Sequence, residues 1–501
     1  MTGRAPRDRR TASALRMVAV TLALSATAGC TVGPDYRRAE AVAAMPAAFA
    51  ESTGEWKVAE PKADLSKGPW WEVFGDEELN RLEAQAATSN QDLAAAAARF
   101  EQARAAADVA RSGLFPRIGA GSSATRQQDS ANRPLNSTGQ AAGYGYVYDN
   151  FTIPFDFSYE LDLWGRVRRQ REAAGAGQEA AIADVEGVKL AIAAEVAADY
   201  FTLRSLDVEA AALVASIEAY QKSLELTQRR RAGGLSSDLD VAQAETVLNT
   251  AAAQLPAITR SRQHFEHALA ALTGQAAPLF HVRERSFDLE PPVVEPDLPS
   301  ALLERRPDVA SAERRMAAAN ANIGVATAAF FPTVKLNGLA GLQSTSSGSL
   351  FDWASRFWAV GPSLSLPLFD GGRISAGVRV SKGAYEETVA RYRATVLAAF
   401  SEVEDNLAAQ RLLAEAWELE ARAWTSAHRQ LEIAQNRYRA GLVSYLQVTA
   451  AQSAALERDR SRARLRGQQF AACAALVKSL GGGWRGLDSN PARQVSAGPS
   501  K

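Results

Sequence analysis

The sequence predicts a mainly α-helical chain with a small β part, organised as two internal repeats of long antiparallel helical hairpins joined to four strands. Three observations predict it. There is no proline from Phe155 to Leu255 or from Leu368 to Asn490, and both stretches are rich in Ala, Glu, Arg, Gln and Leu, which are strong helix formers. Residues 151 to 163, FTIPFDFSYELDL, put Phe151, Ile153, Phe155, Phe157, Tyr159, Leu161 and Leu163 on one face and Thr152, Asp156, Ser158, Glu160 and Asp162 on the other, a period of two that defines a strand. Finally, Gly234-Leu235-Ser236-Ser237-Asp238-Leu239 matches Gly441-Leu442-Val443-Ser444-Tyr445-Leu446, Arg166 matches Arg373, and Gly274 matches Gly481, each pair 207 residues apart. One register for three landmarks is the mark of a repeated architecture.

The N-terminus reads as an address. Arg4, Arg7, Arg9, Arg10 and Arg16 precede an apolar run from Met17 to Ala26, which is too short to span a bilayer and fits a secretory signal over residues 1–29. TAGC follows, ending at Cys30; it looks like a bacterial lipobox, with Thr27 standing where lipoproteins usually have Leu. Cys30 is the expected lipidation site, the alternative being an ordinary cleavage near Ala28. Thr31 after the cysteine favours the outer membrane by resemblance to lipoprotein sorting rules, and several acyl chains on one cysteine would anchor firmly.

Residues 30–76 form the expected N-terminal anchor and equatorial segment, 77–274 the first repeat, 275–300 an inter-repeat linker, 301–481 the second repeat and 482–501 a C-terminal tail. In each repeat the order is helix, proline, strand, loop, strand, very long helix, glycine break, helix. Expected strands lie at about 117–126, 151–163, 333–343 and 358–368, the first being nearly featureless. Pro116 and Pro332 are 216 apart, so a nine-residue length difference falls between proline and Arg166, around the hairpin loop. Pro154 and Pro362 fall inside strands, where each removes a ladder bond; a local edge or bulge would accommodate them. A helix from Gly165 to about Arg231 would extend on the order of 100 Å, more than a compact domain needs. A soluble coiled-coil rod would explain such helices but not the strands.

A ten-residue strand with one apolar face matches an outer membrane, yet four strands leave two open edges that lipid cannot satisfy. Other copies must complete the barrel, and a dimer, trimer or larger ring would do so. Beyond Ala26 no apolar run approaches the 18 or so residues of a transmembrane helix. Lys plus Arg and Asp plus Glu both number 56, so no net field attracts nucleic acid. Two cysteines make no disulfide framework, and Cys473 reads as a small buried apolar residue.

The stretches CTVGPDY, WWEVFGDEELNRL, YELDLWGRVRRQREAA, RAGGLSSDLDVAQAE, LLERRPDVASAERRMAAANANIGVATAAFFP, PLFDGGR, RYRAGLVSYLQV and KSLGGGW resemble the outer-membrane efflux factor family, the TolC-like channels, and within it the lipidated OprM-like branch. The resemblance covers nearly the whole mature chain. It implies a homotrimer whose three chains give a 12-stranded barrel of transmembrane strands, with the long helices forming a periplasmic tunnel. LFPRI and FFPTV would then be the points where a tunnel helix becomes a barrel strand. It also implies a passive conduit for small compounds such as drugs and toxic amphiphiles, working with a periplasmic adaptor and a proton-driven inner-membrane transporter. Type I protein secretion or metal efflux through the same architecture, and a periplasmic helical scaffold lipoprotein without a pore, remain as alternatives. The pump usually chooses the substrate in such assemblies.

The same resemblance makes the glycine breaks at Gly233-Gly234 and Gly441 the hairpin tips that meet the adaptor, carried to Gly234, Leu235, Ser236, Gly441, Leu442, Ser444 and Leu446. Related channels often carry an acidic constriction after the second tip, but here Gln447-Val448-Thr449-Ala450 has no carboxylate. Asp238 and Asp240 of the first repeat could supply a ring of like charges around a threefold axis instead, or could simply cap the following helix. His264 and His267 stand one turn apart without further ligands nearby and read as surface residues. The GAGSSA run at 119–124 matches a dinucleotide fingerprint only formally, since it leads into a polar loop. No nucleophile elbow or phosphate loop is present, so no enzyme activity, cofactor or metal is expected.

Overall fold

The computed structural model describes residues 31–41, 49–51, 69–128, 130, 147–285, 289–292 and 305–482. The helices are α1 (Glu77–Ser89), α2 (Gln91–Ser112), α3 (Arg166–Ala232), α4 (Asp238–Leu272), α5 (Pro307–Ala328), α6 (Arg373–Arg439) and α7 (Tyr445–Ser479), and the strands are β1 (Arg117–Ala120), β2 (Ser123–Gln128), β3 (Val147–Leu161), β4 (Thr333–Ser344) and β5 (Arg356–Ser365). The repeat is reproduced to the residue. Helices α3 and α6 have 67 residues each and α4 and α7 have 35 each, with all four pairs of ends 207 apart. Helices α2 and α5 have 22 residues each, and they and the starts of β1 and β4 are 216 apart. The extra length of the first half therefore lies between the first strand and α3, as the proline spacing requires.

The chain divides into two compact units, and each draws on both repeats. The first comprises Met1–Ala39, Gln102–Gln178 and Arg314–Ala390. Its sheet is antiparallel, with β1 and β2 both paired to β3, then β4, then β5. Opposite residues share a face, so Phe155, Ala340 and Trp358 line up across three strands, as do Leu161, Val334 and Leu364. On the other face the Ser158 hydroxyl donates to Asn337 Oδ1 at 3.2 Å, and Asn337 Nδ2 donates to Ser363 at 2.8 Å. The apolar side is open to its surroundings: Trp358 and Leu364 are 76% and 69% exposed.

Three strand expectations are corrected in detail. The first strand is two segments rather than one run over 117–126, the second runs Val147–Leu161 rather than 151–163, so that Asp162 and Leu163 fall in the turn before the helix, and the fourth runs Arg356–Ser365 rather than 358–368. Pro154 explains the break. Register is unchanged from Ala120↔Phe155 to Ser123↔Thr152, and the Gly121 amide donates to the Pro154 carbonyl at 3.0 Å, but proline has no N–H to return the bond. On the opposite side Gly341 faces Pro154, and a Cβ there would lie 2.2 Å from the Ile153 carbonyl oxygen. Pro362 lies on β5, which pairs only with β4 among the described residues, where a missing donor costs least.

Aspartates start both long helices after the strands. Asp162 accepts from the Val167 and Arg168 amides at 3.0 and 2.9 Å, and Asp370 from the Gly372 and Ile374 amides at 2.9 and 2.8 Å. Trp164 stacks on Phe331 with centroids 4.7 Å apart and donates to the Pro332 carbonyl. The segment from Thr31 packs on this unit: Thr31 touches Gly165, Gly33 lies against Gly324, and Arg169 pairs with Asp35 at 2.6 Å.

The second unit comprises Glu40–Glu101, Glu179–Glu313 and Arg391–Lys501. Its core gathers Trp70, Phe74, Leu79, Leu82, Tyr200, Phe201 and Phe470, with the Phe201 and Phe470 rings 4.4 Å apart. Beside it Arg262 reaches Asp207, Glu266 and the Val282 carbonyl, and Arg204 reaches Asp207 and the Arg283 carbonyl. Such a buried pair of cations is tolerated because each guanidinium is paired with the buried Asp207 carboxylate. Cys473 is fully buried here, as expected, and burial pushes its thiol up to about 12.

Candidate functional site

Both predicted hairpin tips lie in the second unit, and both close by the same backbone device. At the first, the Leu235 amide donates to the Arg230 carbonyl at 2.8 Å and the Gly234 amide to the Arg231 carbonyl at 2.9 Å; at the second, Leu442 donates to Arg437 and Gly441 to Tyr438, both at 2.9 Å. This paired bonding around a left-handed residue is a Schellman cap. Gly234 and Gly441 both have φ of 75°, and a Cβ at either would meet nothing within 4 Å. Glycine is required here by the backbone conformation and not by lack of space.

Beyond the turns the tips differ. Ser237 and Asp240 form a reciprocal capping box at the start of α4, and Asp240 Oδ2 also accepts from the Ser236 hydroxyl at 2.9 Å. Partial burial alone would raise the Asp240 carboxyl, but hydrogen bonds from the Ser237 amide and the Ser236 and Ser237 hydroxyls outweigh it and hold it below the usual carboxylate range. Asp238 is exposed and pairs with Arg231. At the second tip Ser444 caps α7 without a side-chain bond, and Gln447, at the position matching Asp240, is exposed.

The second tip is held by aromatic packing instead. Tyr445, the counterpart of Asp238, is buried with Leu224, Ala244, Ala434, Tyr438 and Val448. Its ring lies 5.2 Å from that of Tyr438, and its hydroxyl is 2.9 Å from Ser223 Oγ. Arg230 covers Tyr438 at 4.8 Å and donates to the Arg439 carbonyl at 3.1 Å, while Ser236 Oγ is 3.1 Å from the Tyr438 hydroxyl. These contacts tie the two tips together. What they leave outside is apolar: Leu235, Leu239, Leu442 and Leu446 are 73%, 65%, 69% and 58% exposed. These are two pairs of equivalent positions, on a rim that also carries Arg229, Arg231, Arg437 and Arg439.

The predicted tip residues are thus brought together. Cys30 lies outside the described residues. Sequence reasoning missed Arg230, Tyr438 and Tyr445; the two tyrosines flank the Gly441 break on different helices, so no periodicity pairs them. Among the described residues no helix is long and apolar enough to cross a membrane.

Comparison with known proteins agrees with this geometry. The family model described as outer membrane efflux protein matches residues 82–275 and 298–482. The toluene efflux pump outer membrane protein TtgF of Pseudomonas putida is 32% identical over 477 residues, covering 95% of this chain and 98% of the relative. Outer membrane protein OprJ of Pseudomonas aeruginosa is 32% identical over 489 residues, covering 95% and 97%. Among solved structures, the outer-membrane channel OprN superposes with a TM-score of 0.81 at 31% identity, over 91% of this chain and all of that one. The open-state MtrE channel of Neisseria gonorrhoeae does so with 0.78 at 27%, over 91% and 99%. With the family model matched over 82–275 and 298–482 and the fold superposed over 91% of its length, this chain belongs to the outer membrane efflux protein family and is an outer-membrane channel of an efflux system.

Proposed function

We propose that the chain works as a homotrimer whose three sheets close a 12-stranded barrel, a passive conduit for small compounds delivered by an inner-membrane transporter through a periplasmic adaptor. The observation that carries this reading is the sheet itself. Its apolar face is exposed, and β1, β2 and β5 each pair with one neighbour among the described residues, so in hydrocarbon both sheet ends require strands from other copies. The transport role is not catalytic. Two relatives support small cargo by name, one a toluene efflux protein and another, OpmQ of Pseudomonas putida, a pyoverdine export protein. A scaffold without a pore has no place in a family of channels.

The four exposed leucines and their arginine rim form the adaptor-contact surface in this reading, through Gly234, Leu235, Ser236, Gly441, Leu442, Ser444 and Leu446. Asp240 serves the helix cap in each chain, and a carboxylate ring from Asp238 or Asp240 would form only between copies. Cys30 carries the lipid, next in sequence to Thr31, which packs on the unit that holds the strands.

The native mass of detergent-extracted protein tests the assembly, and planar-bilayer conductance tests the pore. A mass of three chains with discrete conductance steps is expected; a stable monomer without conductance overturns the reading. Leu442→Asp with Ser444→Asp is expected to abolish crosslinking to the adaptor in vivo. Unchanged crosslinking would remove the contact from these tips.

A further inference from the structure

Within the second unit, α6 carries Trp417 and Trp424 seven residues apart, and α7 carries Arg462 and Arg466 four apart. Both spacings keep a pair on one helix face. The four side chains interleave. The Arg462 guanidinium carbon lies 5.0 Å from the Trp417 ring centre and 4.8 Å from that of Trp424, and that of Arg466 lies 4.1 Å from Trp417. They border a pocket of about 280 Å³ whose far wall is α3, with Val208 and Ala212. Gly467 sets the depth, since a Cβ there would stand 2.6 Å from Ser205 Cβ.

Of the two arginines, Arg462 is the one with no ion pair among the described residues; Arg466 donates to Gln469 Oε1. Asp459, the carboxylate among the described lining residues, turns one oxygen to α6, where it accepts from Trp424 Nε1 at 2.6 Å and lies 2.9 Å from His428 Nε2. Arg462 is half-buried and has only its two tryptophans for company among the described residues, and its Nε is buried without a hydrogen-bond partner. Ring faces compensate a half-buried guanidinium in part. They do not use its donors, which are arranged as a fork for a carboxylate or sulfonate. The volume is close to the lower end of small-molecule sites, which begin at roughly 300 Å³.

The geometry points to a binding site for a small amphiphilic organic anion, its acid group on Arg462 and its apolar body against Val208, Ala212 and Ala463. The inference does not rest on the efflux reading, because binding is read without transport. The test uses the full chain purified in an uncharged detergent, with naphthalene-2-sulfonate as probe and neutral naphthalene-2-sulfonamide as its isostere, in equilibrium dialysis against empty micelles. One saturable site per chain is expected for the sulfonate, with the sulfonamide binding at least about tenfold more weakly. Arg462→Gln is expected to lose about tenfold or more, with Arg462→Lys falling between it and the native protein. Ala212→Trp, which fills the pocket from α3 without touching the charge, is expected to lose binding to a similar degree and guards against a misfolded arginine variant. Equal binding of the two probes, or native affinity in both Arg462→Gln and Ala212→Trp, overturns the site. So does the absence of saturable binding to the native protein, which would leave Arg462 to an acidic side chain of another chain.

Discussion

The two hairpin tips share a backbone and divide the labour of holding it. Their helices end and begin 207 residues apart without slippage, and their glycines have the same φ of 75°. The side chains around them have diverged. The first tip is closed by polar capping through Ser237 and Asp240, the second by a buried tyrosine pair, Tyr438 and Tyr445. The difference teaches that the turn is a property of length and glycine, while its attachment to the neighbouring hairpin can be built from either hydrogen bonds or packing. It also gives the pair a direction. Arg230 and Ser236 of the first tip reach onto Tyr438 of the second, so the aromatic tip is the platform and the polar tip rests on it.

The largest expected effect breaks the platform. Tyr445→Ala should cost about 3–5 kcal/mol, the range for emptying a buried aromatic site, and Asp238→Ala at the matching position within about 0.5 kcal/mol, because its ion pair is exposed. Chemical denaturation followed by circular dichroism measures both, and similar losses would dissolve the division between tips. Next come the glycines: Gly234→Ala and Gly441→Ala should each cost about 1–2 kcal/mol, and equally, since both sites have the same φ and open space. A marked inequality would mean that one turn relaxes and the other does not.

Asp240→Ala should cost about 1 kcal/mol through loss of the cap, whereas Gln447→Ala should stay within about 0.5 kcal/mol. Amide hydrogen exchange at the starts of α4 and α7 separates the two locally. The smallest effect sharpens the same contrast by pH. The Asp240 carboxyl is held below its unfolded value by its amide and hydroxyl donors, so its contribution is complete above about pH 4 and is lost as pH falls through the lower folded value. Native protein should therefore exceed Asp240→Asn in protection of the α4 start above that pH, with the gap closing below it. No such gap should open at α7.

The sequence by itself determined the repeat, the helix lengths, the hairpin turns and the faces of the strands. These depend on local rules: proline ends a helix, glycine alone takes a left-handed φ cheaply, and alternation assigns β3 its two sides. The weakly patterned first strand, with its break opposite Pro154, needed the partner strand, because register and a missing ladder bond belong to a pair and not to a segment. The Ser237–Asp240 cap is a local motif, but only the tertiary structure buried Tyr445 where its counterpart Asp238 is exposed. It alone placed Ser236 beside Tyr438, 202 residues away, and Trp424 against Arg462 from another helix. Helix periodicity says which residues share a face but not which face meets which neighbour. That choice is made when the helices pack, and it created both the joined tips and the tryptophan–arginine pocket.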